Sequence, residues 1–281
     1  MHGPVVVGFD GSPESLAATE WAAREAQRLG LPLELLQAWP WPRRDVVGSN
    51  EVYERSREAL AAVEAGLRTA RADVQVSSSH VPADPATALE AAGRNATLLV
   101  LGSRGLGTVP GFLVGSVSQD VLHRAACPVV LVRAGGGAEG DTVLLGLDLA
   151  HPADGVLAFA FEAAARRSAP LRVVHAWAPP AGSEYLAFDA IGGLERDLSS
   201  VERTRLGDVL APWRARYPQV TATADLVRGS AAAVLVDASA TARLVVVGRR
   251  VRRMPLGAHL GPGGARRDPP RPCPVAVVPY E

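Results

Sequence analysis

The residues best placed for chemistry are Gly102, Gly105, Gly115 and Ser116, spaced Gly-x2-Gly-x9-Gly-Ser. They follow an apolar run, Leu98-Leu99-Val100-Leu101, and lead into a helical pattern of Val117, Val121, Leu122 and Ala125. Glycine lets backbone amides come close to a ligand, and the first amides of a helix have no partner within it. A loop of this kind, between a strand end and a helix start, is suited to cradling an anion. The helix dipole and the hydroxyls of Ser116 and Ser118 add partial positive charge and hydrogen bonds. The opposite reading of the same spacing is a Gly-rich connection that holds nothing. Arg104 stands inside the loop, either as a mobile phosphate partner or as a solvated side chain. Asp10, at the end of the first apolar run, is either a second polar contact for a ligand or a helix cap.

For these residues to meet, two strand ends must lie side by side. The apolar run Val5 to Phe9 reads as a strand. Ser12 then caps a helix with Pro13 at its first position, Leu16, Thr19, Ala23, Ala26 and Leu29 on one face, and Gly30 as its stop. A second strand spans Leu33 to Trp39, and a loop rich in Pro and Arg follows from Pro40 to Asn50. A helix over 51–72, a strand over Val74 to Ser77, a short helix from Pro85 to Gly93, the motif strand, a helix to Ala126 and a strand at Val129–Val132 complete the unit. Strands alternating with helices imply a parallel sheet covered on both faces. The ligand then belongs at the C-terminal strand ends, where the strand order reverses.

Residues 135–140, Gly-Gly-Gly-Ala-Glu-Gly, read as a linker. After it the pattern starts again. Gly146-Leu147-Asp148 repeats Gly8-Phe9-Asp10, and Ala176-Trp177 repeats Ala38-Trp39, both at an offset of 138. Val245-Val246-Val247-Gly248 repeats Leu99-Val100-Leu101-Gly102, and Cys273-Pro274 repeats Cys127-Pro128, both at 146. The chain is therefore a tandem repeat, with a leading copy over 1–134 and a trailing copy over 141–281. The trailing copy departs from the motif: Val251 stands where Gly would, and Pro262 follows Gly261 in place of Ser. Its phosphate site is expected to be poor or absent. Pro269, Pro270 and Pro272 exclude an α-helix through 261–274. A GC-rich gene read one base out of phase over that segment, through two compensating frame changes, would produce such a string.

Composition removes several classes of function. All 29 basic residues among the 281 are Arg, which excludes the Walker-type loop, Schiff-base chemistry and the kinase Lys–Glu pair. They are balanced by 29 acids, so no net field draws the chain to nucleic acid or to a membrane surface. No apolar run is long enough for a membrane span, and the strand pattern begins too soon after Met1 for a leader. Cys127 and Cys273, each before a Pro, read as structural thiols, and the expected compartment is the cytoplasm. His2, His80, His123, His151, His175 and His259 lack metal-ligand spacing, and no Gly-x-Ser-x-Gly elbow is present. Arg249, Arg250, Arg252, Arg253, Arg266, Arg267 and Arg271 have no aromatic residue among them to stack a base, so they read as a solvated basic loop.

Three segments carry a resemblance to a known family: Val5-Val6-Val7-Gly8-Phe9-Asp10-Gly11-Ser12, the Gly102 to Ser116 spacing, and Cys127-Pro128-Val129-Val130-Leu131-Val132. Together the chain resembles the universal stress proteins, in their ATP-binding branch, over nearly its whole length. The resemblance implies an α/β protein of two tandem Rossmann-like domains, of the adenine nucleotide alpha hydrolase-like kind. Each would have a five-stranded parallel sheet of order 3-2-1-4-5 flanked by helices. It implies ATP as ligand, with or without Mg2+, bound by the leading copy. Phe9 and Ala38 would lie near adenine, Asp10 at the ribose or base, and Gly102, Ser103, Arg104, Gly105, Gly115, Ser116, Val117 and Ser118 around the phosphates. It also implies that the two repeats pack as a pseudo-dimer through their last strands, with a homodimer as a further form. The expected role is a nucleotide-responsive stress or regulatory binding protein without catalysis. The competing roles are a nucleotide α-phosphate hydrolase or pyrophosphatase, and a nucleotide-free dimerisation module. Asp10-Gly11-Ser12-Pro13 stands where such hydrolases carry a Ser-Gly-Gly-x-Asp-Ser type of loop, and the intact glycine spacing argues against the third role.

Overall fold

A computed structural model describes residues 3–39, 49–103, 115–135, 140–177, 188–251 and 273–281. The expectations for Arg104, Gly105 and the Pro-rich segment 261–272 lie outside the described residues. The chain divides into two compact units, Met1–Gly137 with Pro272–Pro279, and Ala138–Arg271 with Tyr280–Glu281. The family resemblance implies that the two repeats join through their last strands. The strand at 275–280 is grouped, up to Pro279, with the first unit.

In the first unit, strands β1 (Val5–Gly8), β2 (Leu33–Ala38), β3 (Val76–Val81), β4 (Leu98–Gly102) and β5 (Val129–Val132) alternate with helices α1 (Pro13–Leu29), α2 (Ser49–Ala70), α3 (Pro85–Gly93) and α4 (Ser116–Arg124). The strands are parallel in the expected order β3-β2-β1-β4-β5. The sheet is larger than the expected five strands. The closing strand, Val275–Tyr280, runs antiparallel to β5, with Val275 opposite Leu131 and Val277 opposite Val129. All four β5 residues are buried and apolar, and an unpaired edge of that kind is a template for association. The added strand satisfies its backbone groups.

Helix α1 begins and ends where its sequence signals stand. Extended Ser12 accepts from the Ser15 amide at 3.2 Å, Pro13 occupies the first turn, and Gly30 closes the helix at φ +63°. The expected buried face is corrected at Leu16, which is 41% exposed. Ser15, Ala18, Ala22 and Ala26 face the sheet in its place. Small side chains at this spacing let the helix axis come close to β1 and β4. On the other face, Val6, Leu36, Leu99, Leu101 and Leu131 pack with Leu89 of α3 and Val121 of α4.

Strand β3 starts and ends later than its apolar residues suggest, at Val76–Val81 in place of Val74 to Ser77. Val74 instead closes a turn, its amide donating to the Arg71 carbonyl at 3.0 Å. The strand continues through Ser77, Ser78, Ser79 and His80 in register with β2; Ser78 donates to Glu64, and Ser79 donates to Glu34 at 2.9 Å.

The second unit repeats the plan with β6 (Thr142–Gly146), α5 (Asp154–Arg166), β7 (Leu171–Trp177), α6 (Phe188–Arg216), β8 (Ala222–Arg228), α7 (Ala231–Ala238) and β9 (Ala242–Arg250). Its strands are parallel in the order β9-β6-β7-β8. Phe161 of α5 stacks with Trp213 of α6 and with Tyr217 just beyond it. Among the described residues, no helix is long and apolar enough to cross a membrane. The closing strand Val275–Tyr280 is β10.

Candidate functional site

Strands β1 and β4 are neighbours, with Val5 opposite Leu98 and Val7 opposite Val100, so their C-terminal ends emerge together. Gly102 ends β4 and explains how two helices reach the same point. A Cβ there would lie 2.7 Å from the Glu14 carbonyl carbon and 2.8 Å from the Ser15 amide nitrogen. Only glycine lets the first turn of α1 sit this close. From the other side, the Ser118 hydroxyl of α4 donates to the Gly102 carbonyl at 3.4 Å. The N-termini of α1 and α4 thus converge on one strand end, and their dipoles make that corner attractive to negative charge.

The two helix starts differ in how they are capped. Ser12 caps α1, while its own amide donates to Asp10 Oδ1 at 2.9 Å and its hydroxyl donates to the same oxygen. Asp10 is exposed at the end of β1 and built into an Asx turn, with Gly11 at φ +79°. Asp10 is thus not itself the cap of α1 but holds the capping residue, Ser12, in place. Helix α4 receives no side-chain cap from Gly115. Gly115 has φ −60° and ψ 158°, a conformation open to any residue, and among the described residues a Cβ there would meet nothing within 4 Å. Neither its backbone angles nor any described neighbour requires a glycine there.

The remaining expected residues fall around this corner. Ser116 is exposed on the first turn of α4, Val117 leans on the core, and Ser118 is buried with its hydroxyl tied to Gly102. Buried Ser103 continues the β4–β5 pairing, its amide donating to the Val132 carbonyl at 2.7 Å. Phe9 is buried with its amide bonded to the Leu36 carbonyl at 2.9 Å, and Ala38 ends β2 opposite Val81. The structure therefore brings Phe9, Asp10, Ala38, Gly102, Ser103 and Gly115–Ser118 to the C-terminal edge of one sheet. Among the described residues, no group of three or more His, Cys, Asp or Glu side chains is placed to hold a metal ion. Cys127 lies below this edge, and burial pushes its thiol up to about 11.

The second unit carries a cleft of about 310 Å3 at the corresponding strand ends, lined by Gly146, Asp148, His151, Val174, His175 and Leu235 among others. Sequence reasoning found Asp148 through the repeat but gave no role to His151 or His175, which are 24 residues apart in sequence and meet only in the fold.

Parallel strands alternating with helices, a plan built twice in one chain, define an α/β repeat protein. The model of the universal stress protein family matches residues 1–133 and again residues 140–279. The chain is 35% identical over 277 residues to universal stress protein Rv2623 of Mycobacterium tuberculosis, covering 92% of this chain and 91% of that one. It is 30% identical over 296 residues to a universal stress protein of Mycolicibacterium smegmatis, covering 98% and 96%. In fold, it is similar to the crystal structure of a universal stress protein from Archaeoglobus fulgidus, with a TM-score of 0.67 at 17% identity over 99% of both chains. The protein belongs to the universal stress protein family, with two copies of the family's domain in one chain.

Proposed function

We propose that the leading repeat binds ATP and that the protein acts as a nucleotide-responsive binding protein without catalysis. The observation that carries this reading is Gly115, a helix-capping glycine that needs no special backbone angle and has open space where its side chain would be. A phosphate is the group that fits there, beside first-turn amides that make no bond within the helix. Gly102 and Ser103 then border the phosphates, and Asp10 faces the sugar end. Any Mg2+ would be held chiefly by the phosphates and waters. The hydrolase reading finds no support at the first strand end, where the Ser12 hydroxyl is donated to Asp10 and its oxygen caps α1.

The test is to identify the nucleotide that co-purifies with the full chain, then titrate ATP, AMP and GTP by calorimetry. One adenine nucleotide per chain, unchanged after prolonged incubation with Mg2+, is the expected result. Two equivalent sites, a preference for GTP, or release of pyrophosphate would overturn the corresponding part of the reading.

A further inference from the structure

The cleft of the second unit has a different chemistry from the corner just described. Strand β9 does not stop at Gly248 but runs on through Arg249 and Arg250, and the Val251 amide donates to the Tyr280 carbonyl at 2.7 Å. The Tyr280 ring occupies the space beside Gly248, 2.8 Å from where a Cβ would stand. Where β4 ends at Gly102, β9 thus carries two arginines beyond the corresponding Gly248. The cleft floor is apolar, formed by Leu147, Val156, Val174, Leu235 and Val247. Its volume is at the small end of the range for ligand sites, about 300–1,000 Å3.

Two residues that line it, Asp148 and His151, form a chain of hydrogen bonds with Arg250. The Asp148 carboxylate can only accept, so His151 Nδ1, 3.2 Å away, carries the proton. His151 Nε2 is then an acceptor, and Arg250 Nη1 donates to it at 3.1 Å. On the neighbouring strand, His175 Nδ1 donates to the Leu147 carbonyl at 2.9 Å, which leaves its Nε2 as an acceptor on a residue that lines the cleft. The lining therefore holds one carboxylate, one ring nitrogen that accepts from the Arg250 guanidinium beside the cleft, and one ring nitrogen open to a donor.

We infer that the trailing repeat holds a second site, for an aromatic or heterocyclic monoanion that carries an N–H or O–H donor. The flat apolar body lies on the floor and its donor meets His175 Nε2. The single negative charge takes the Arg250 guanidinium from His151, exchanging a bond to a neutral acceptor for a charge-assisted one. Asp148 opposes further negative charge, so di- and polyanions are disfavoured. This inference does not rest on ATP binding by the leading repeat.

The test uses the full chain labelled with nitrogen-15, titrated with 4-hydroxybenzoate, its neutral counterpart 4-hydroxybenzamide, phenyl phosphate and ATP. Ring signals of His151 and His175 report this cleft, whereas His80 and His123 lie in the other repeat, so failure here is separable from failure of the leading site. Saturable shifts of His151 and His175 with 4-hydroxybenzoate are expected, with 4-hydroxybenzamide weaker by about 10-fold or more. Arg250→Gln should remove that advantage. Asp148→Asn should strengthen phenyl phosphate relative to 4-hydroxybenzoate, a gain that a damaged fold would not give. Equal binding of the neutral compound, preference for ATP at these histidines, or no shift of either ring would overturn the inference.

Discussion

Gly102 and Gly115 belong to one motif but lack a side chain for opposite reasons. At Gly102 the missing Cβ makes room for the backbone of Glu14 and Ser15, which cannot give way as a side-chain tip would. Gly102→Ala should therefore cost about 1–3 kcal/mol of stability, read from denaturant unfolding, before any effect on ligand is considered. At Gly115 the space is open, so Gly115→Val should change stability by no more than about 1 kcal/mol. Its branched side chain would instead fill the proposed phosphate position, and calorimetry should show ATP affinity falling by about 100-fold or more, the loss of two or more charge-assisted bonds. Unchanged ATP binding in Gly115→Val would remove the observation on which the nucleotide reading stands. Cys127 adds a pH-dependent term. Burial raises its thiol from 9.0 to about 11, so at pH 8 only about one molecule in a thousand carries the thiolate in the folded state. In a Cys273→Ser background, a thiol reagent at pH 8 should label Cys127 only as fast as the chain opens. Because the folded state keeps a proton that the unfolded state loses, stability should fall between pH 9 and 11, by roughly 1.4 kcal/mol per unit from this group. Urea midpoints across that window test the sign.

Among the elements, α1 shows what can be read directly from a sequence. Ser12, Pro13 and Gly30 act through local geometry, and each stands at the helix boundary it signals. Ser12→Ala removes both the bond from the Ser15 amide and the hydroxyl held by Asp10. It should cost about 1 kcal/mol and lower the melting temperature by about 2–4 °C, measured by calorimetry. A melting temperature unchanged within error would show that the cap is replaced. β3 could not be read in the same way, since Ser77, Ser78, Ser79 and His80 give no apolar alternation; their pairing with β2 is supported by Glu34 and Glu64, which are distant in sequence. Leu16 misled for a related reason, because a helix lying against a glycine strand end presents its small residues to the sheet. At the candidate site, strand ends and the Gly115–Ser118 turn were legible because glycine spacing is a local signal. The Asp148–His151–Arg250 chain was not, since Arg250 lies 99 residues from its partner.

At the level of the chain, the feature of most consequence is the pairing of β10 with β5. Alternation of strand and helix indicates a parallel sheet, but the strand order and the joining of the repeats through their last strands come only from the family resemblance; no periodicity indicates that residues 275–279 complete the sheet begun at Val5. A fragment of residues 1–134 would keep β1 to β5 and leave the buried apolar edge Val129–Val132 without its partner. Such a fragment should self-associate, as sedimentation velocity over a range of concentrations would reveal. A fragment that stays monomeric at high concentration would show that β5 does not need β10.

That pairing also imposes a timetable on synthesis. β5 is complete when the ribosome has passed Val132, but β10 begins only at Val275, roughly 140 residues later. At translation rates of about 5–20 residues per second, the first sheet waits on the order of ten seconds with its edge uncovered. During that interval, neighbouring nascent chains on the same message present identical edges to one another, and a chaperone has time to intervene. Slow codons between 133 and 274 would lengthen the exposure without changing one residue of the protein. A stop codon just before 275 would spare the Gly102 corner of the first repeat, yet release a product that had never closed its first sheet.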